Sequence, residues 1–82
     1  MGVVTYVAVT MKTGAEKEVL KKVLALKEVT EVDLLYGEYD ALMKVTVEDL
    51  SQLDKFLTEK LRVLPDVFQT TSLIVARQYK GT

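Results

Sequence analysis

The sequence predicts a single α+β domain with element order β-α-β-β-α-β. Three observations carry that: apolar spacing that switches between alternating and helical periods, two helix-start signatures, and a lone proline just before the last apolar run. Its 82 residues suit one core and are too few for two, so one domain is expected over residues 1–82. A chain this short buries only about 60–65% of its unfolded surface, and it gains from a disulfide, a metal or self-association. Cysteine and histidine are both absent, which removes thiolate and imidazole ligands. No metal and no cofactor are therefore expected, and association is what remains.

Val3 to Met11 (VVTYVAVTM) is dense in β-branched residues and lacks a helical period, so it reads as strand 1. Thr13-Gly14-Ala15-Glu16 has capping-box spacing, with the Thr13 hydroxyl expected to accept from the Glu16 N–H while the Glu16 carboxylate reaches back. Ala15, Val19, Val23 and Leu26, with Leu20 and Leu24 beside them, form the apolar stripe of helix 1, which is expected to fray near Lys27-Glu28. From Val29 the pattern alternates, Val32, Leu34 and Tyr36 against Glu31, Asp33 and Leu35, as in strand 2. Gly37-Glu38-Tyr39-Asp40 has the composition of a tight hairpin, and strand 3 follows over Ala41 to Val47. Asp49 precedes Gln52 at capping distance, and Leu50, Leu53, Phe56, Leu57 and Leu61 lie at helical spacing in helix 2. Leu64-Pro65 ends that helix before Arg62, and strand 4 is expected over Val67 to Tyr79. This order gives a ferredoxin-like split βαβ, an antiparallel four-stranded sheet with both helices on one face and strands 1 and 3 in the middle.

Helices cover one side of such a sheet, and the other side of a monomer alternates into polar residues. Here it does so only in part. Strand 1 offers Val3, Val7, Val9 and Met11 on one face and Val4, Tyr6 and Ala8 on the other. In strand 4, Phe68 and Ile74 oppose Val67, Leu73 and Val75. An open face of roughly 500 Å² follows from strand spacing and rise, within the size of patches that mark binding surfaces. Burying half of it as apolar area is worth on the order of 6 kcal/mol per subunit before association entropy, which favours a dimer through the sheet.

Composition excludes several function classes. Eleven basic residues against twelve acidic ones, evenly spread, give no basic face for phosphates. Strand 3 (ALMKVTV) lacks the aromatics on which RNA-recognition sheets stack bases, so no direct nucleic-acid binding is expected. No apolar stretch approaches the ~20 residues of a membrane span and no signal segment is present, so a cytoplasmic location is expected. Absent Asn and Cys with abundant Lys and Glu is a habit of thermophile proteins.

No catalytic residue emerges either. Serine occurs only as Ser51 and Ser72, neither in a nucleophile-elbow context, and the carboxylate pairs Glu16/Glu18 and Glu48/Asp49 lie at helix starts, where acids favour the dipole. Two constellations are left: the hairpin Gly37-Glu38-Tyr39-Asp40, and the hydroxyl run Thr70-Thr71-Ser72, with Thr70 and Ser72 on one face. A carboxylate for an ammonium, backbone amides at a glycine turn and hydroxyls for a carboxylate suit a free amino acid. On residue chemistry alone the plainer reading stays ahead: Asp40 closes its own turn and the threonines suit a strand.

The hairpin and the strand after it, Gly37-Glu38-Tyr39-Asp40-Ala41-Leu42-Met43-Lys44-Val45, resemble the ligand-sensing domain of the Lrp/AsnC family of transcriptional regulators. The Val-rich first strand, Thr13-Gly14 at helix 1, Leu64-Pro65-Asp66-Val67 and Thr70-Thr71-Ser72 extend the resemblance over nearly the whole chain. It implies sensing domains that pair through their sheets, associate into rings of dimers, and bind amino acids between dimers. Gly37, Tyr39 and Asp40 with Thr70, Thr71 and Ser72 would then line the site. Family members usually carry an N-terminal helix-turn-helix. Only two residues precede strand 1, so a stand-alone sensing module is expected, regulating by joining full-length relatives. Two alternatives stay open: a small dimeric ferredoxin-like α+β barrel enzyme with a cavity between helices and sheet, and a purely structural oligomerisation unit.

Overall fold

A computed structural model describes residues 2–81, so Met1 and Thr82, the ends of the expected domain, lie outside it. The elements are β1 (Val3–Met11), α1 (Glu16–Leu24), β2 (Val29–Leu34), β3 (Ala41–Val47), α2 (Leu50–Lys55) running on as a π-helical segment (Phe56–Leu61), and β4 (Val67–Ile74). They form one four-stranded antiparallel sheet in the order β2-β3-β1-β4, with β1 and β3 central as the connections require. Among the described residues, no helix is long and apolar enough to cross a membrane.

Parity along the strands sorts the residues into a core face and an open face. On the core face Val7 and Val9 of β1 meet Met43 and Ala41 of β3 in register, and Val23 of α1 with Phe56 and Leu61 of the second helical segment close over them. All of these side chains are 0–1% exposed. Thr5 is the polar exception: it is fully buried, and its Oγ1 has no hydrogen-bond partner among the described residues. The open face presents Val4, Tyr6, Ala8 and Thr10 of β1, Leu42, Lys44 and Thr46 of β3, and Thr71 and Leu73 of β4.

Several expectations need correction. Thr13 is not the cap of α1. The Ala15 N–H donates to the Lys12 carbonyl at 3.0 Å with Gly14 at φ +88°, so Thr13-Gly14 is spent on a tight turn and the helix starts after Ala15. The Glu16 carboxylate still reaches back, to the Gly14 N–H at 3.4 Å. The far end of α1 also closes early, because i→i−3 bonds from Ala25 and Leu26 turn the chain so that Val29 enters the core. Tyr36 does not continue β2. The strand stops at Leu34, the Leu35 N–H donates to the Asp40 carbonyl at 2.9 Å, and Tyr36 is fully exposed.

β4 ends at Ile74, not Tyr79. Among the described residues it is an edge strand that pairs with β1 alone: the Val75 N–H reaches the Val4 carbonyl at 2.9 Å, β1 begins at Val3, and residues 76–79 lie beyond that partner. A register shift between Thr10 and Met11 also moves Val67 opposite Met11, onto the core side and away from Leu73. Asp49 does cap α2, accepting from the Gln52 N–H at 2.9 Å. The helix ends at Leu61, ahead of Arg62, as Pro65 requires.

Candidate functional site

Glycine sets the hairpin. Gly37 adopts φ +140°, a backbone that a side chain strains, and it turns the chain between Leu35 and Asp40. Asp40 then locks this end of the sheet to β1 twice: its N–H donates to the Val9 carbonyl at 2.9 Å, and its Oδ2 accepts from the Met11 N–H at 2.7 Å. The carboxylate stands where the next carbonyl of β3 would be, at the position where the bulge disturbs the β1–β4 ladder. Asp40 therefore closes the end of β1, a structural task close to the plainer reading of its chemistry.

Tyr39 goes the other way. Its hydroxyl lies 3.5 Å from Thr71 Oγ1, so the ring spans from the start of β3, across β1, to β4. Thr71 pairs with Ala8 and therefore stands on the open face. Its neighbours Thr70 and Ser72 pair with Val9 and Val7 and face the helices, as their parity predicts. The hydroxyl run is thus split by the sheet. Of the predicted residues, Tyr39 and Thr71 are brought together, Thr70 and Ser72 share the opposite face, and Gly37 and Asp40 serve the hairpin.

A residue absent from the sequence reading completes the second group. Arg62, just past the π-helical segment, donates from Nε to Thr70 Oγ1 at 3.3 Å. Arg62 and Thr70 line a groove of about 550 Å³ at the β4 edge with Val67, Phe68, Gln69 and Thr71. A smaller hollow of about 300 Å³ holds Asp40 with Glu16, Leu34, Leu35 and Tyr36. At the opposite end of the sheet, a cleft of about 640 Å³ contains Glu28 and Lys60, paired at 2.6 Å. Burial pushes the Glu28 carboxyl up, but the Lys60 hydrogen bond, its own backbone N–H and the Lys60 and Lys27 charges together hold it below its ordinary value. No group of three or more His, Cys, Asp or Glu among the described residues is arranged to hold a metal ion.

Fold and geometry together define the class: a ferredoxin-like α+β domain with a partly apolar open sheet face and polar clusters at its hairpin and edge strand. The chain belongs to the Lrp/AsnC family, since the model of the Lrp/AsnC ligand binding domain matches residues 4–82. The leucine-responsive regulatory protein of Klebsiella pneumoniae is 33% identical over 78 residues, 92% of this chain and 48% of that protein. A hypothetical protein from Pyrococcus horikoshii, solved by crystallography, is 38% identical with a TM-score of 0.86, covering 94% of this chain and 93% of its own. A transcriptional regulator from Neisseria meningitidis, crystallised as a complex with L-Met, shares the fold at a TM-score of 0.91 and 22% identity, over 98% of this chain and 53% of its own. The chain spans about half the length of the curated relatives it matches, among them HTH-type transcriptional regulators of Pyrococcus horikoshii and Methanocaldococcus jannaschii.

Proposed function

We propose that this chain is a non-enzymatic sensing and assembly module: two copies pair through the open sheet face, pairs join into rings, and an amino acid binds where the hairpin and the β4 edge of adjoining copies meet. The observation that carries this reading is the Tyr39–Thr71 approach, 3.5 Å across the open face, which ties the hairpin to the surface that pairing would cover. That surface is uneven. Toward β4 it is apolar, with Val4, Tyr6, Ala8 and Leu73, whereas toward β2 it carries Lys44 in register with Glu31, and Asp33 beyond. Pairing centred on β1 and β4 buries the apolar half and leaves the charges wet. One relative is named for its response to leucine and one neighbour was crystallised with L-Met, which supports an amino acid as ligand. Joining full-length relatives through the same surfaces would give the module its regulatory output.

The enzyme alternative needs a roomy cavity between helices and sheet. Beneath the centre of the sheet that space is filled by side chains such as Val7, Val45, Phe56 and Leu61, each 0–1% exposed, and the cleft of about 640 Å³ between the second helix and β3 lies beside them, at the end of the sheet. Calorimetry against the twenty amino acids, with light scattering on the same samples, tests the sensing reading. Binding at micromolar to millimolar concentration with a change in mass is expected, and Tyr39→Phe or Thr71→Val should weaken it without unfolding the chain. No binding by any amino acid up to millimolar concentration contradicts it.

A further inference from the structure

We propose that Arg62 is the carboxylate receptor of the groove at the β4 edge, so that the ligand class taken there is a carboxylate anion bearing an apolar tail. This deepens the sensing reading and rests on it only for which carboxylate is the natural one. A guanidinium recognises a carboxylate through parallel N–H bonds, and it is most selective when its orientation is set beforehand. Arg62 meets both conditions. Its Nε is committed to Thr70 Oγ1 at 3.3 Å, which leaves both Nη groups to a ligand. Because the Thr70 hydroxyl accepts that bond, its own proton can be donated to the same anion.

The backbone beneath Arg62 is fixed from both sides. Its N–H donates to the Leu57 carbonyl at 2.9 Å, the wide turn that closes the π-helical segment, whose Phe56, Leu57 and Leu61 are buried. Such turns inside helices recur at functional sites. Beyond it, the Leu64 N–H to Leu61 carbonyl bond and the Val67 N–H to Leu64 carbonyl bond, at 3.1 and 3.2 Å, lead directly into β4. Among the described residues Arg62 makes no ion pair, and no Asp or Glu lines the groove. The remaining walls are apolar, Val67 and the 64% exposed Phe68, with the Gln69 amide and the Thr71 hydroxyl beside them. One copy of the chain thus supplies donors for a carboxylate and a surface for an apolar tail, and no carboxylate lines the groove to pair with an ammonium.

Arg62 and Arg77 are the only arginines, so the arginine Nε–H signals in heteronuclear NMR of the full chain contain one reporter and one internal control. Titration with L-leucine, L-phenylalanine and their des-amino analogues isocaproate and hydrocinnamate should move the Arg62 signal saturably and leave Arg77 still, while leucinamide and phenylalaninamide move neither. Arg62→Gln should weaken binding of these carboxylates by about tenfold or more with an unchanged circular dichroism spectrum, and Arg62→Lys by less. An Arg62 signal that no carboxylate moves, or that the amides move equally, overturns the inference. So does Arg62→Gln binding like the parent chain. Carboxylates that move Arg62 without changing the assembly support the receptor and count against the sensing reading. An amino acid that changes the assembly while Arg62 stays silent does the reverse.

Discussion

The two faces of the sheet are built from the same strands and similar residues, yet they differ in almost every physical respect. Along β1, Thr5, Val7, Val9 and Met11 are 0–6% exposed beneath the helices, while Val4, Tyr6 and Thr10, one residue out of step, lie half-buried on the open side. On the helix side the cost of desolvation has been met within one chain. On the open side Val4, Tyr6 and Leu73 keep apolar surface in contact with solvent, beside Thr10, Lys44, Thr46 and Thr71. Reading the sequence shows that both parities are apolar, but only topology says which is covered.

That contrast can be broken at several points. The largest effect is expected from Phe56→Ala, at a 1% exposed position where a buried aromatic is lost. A destabilisation of about 3–5 kcal/mol in denaturant titration follows from the lost contacts and the cavity left behind. Asp40→Ala comes next, because it leaves the Met11 N–H without its charged acceptor. A loss of about 1.5–3 kcal/mol is expected, with Asp40→Asn costing less since an amide oxygen can still accept. Thr5→Val should go the other way and raise the melting temperature, because the buried Thr5 hydroxyl has no partner among the described residues to lose. The gain expected is about 1 kcal/mol.

The Glu28–Lys60 pair adds a smaller, pH-dependent contribution. The folded carboxyl sits below its ordinary value of 4.5, so its share of stability is present above that pH and is lost as pH falls through the depressed folded value. Glu28→Gln should flatten the acid limb of a stability-versus-pH curve and leave the shape near neutrality unchanged. On the open face, Leu73→Glu changes a 57% exposed side chain, so its effect on the fold of a single chain should be within about 0.5 kcal/mol. Its expected effect is on the proposed pairing instead.

Much of the fold was legible because local patterns and tertiary demands agree in it. β1 and β3 run over the predicted residues since each lies between two partners for most of its length, and Asp49 caps α2 because nothing competes for it. Thr13 misled because Thr-Gly-x-Glu suits a capping box and a glycine turn equally, and the turn wins when the Lys12 carbonyl can accept from Ala15. The end of β4 was hidden because an edge strand is as long as its neighbour allows, which propensity does not report. At the candidate site, the meeting of Tyr39 with Thr71 spans three strands, and Arg62 reaches Thr70 only through the turn around Pro65. Both contacts need the register of the sheet. A sharper signal was present in composition, where Arg62 and Arg77 stand alone among the cations as arginines.

In the proposed function a second copy covers the open face. Sedimentation equilibrium of the parent chain and Leu73→Glu, over a range of concentrations, tests it most directly. A dimer or a multiple of it is expected for the parent, a folded monomer for Leu73→Glu, and a parent melting temperature that rises with concentration. A monomeric parent, or a variant that assembles as the parent does, would contradict it.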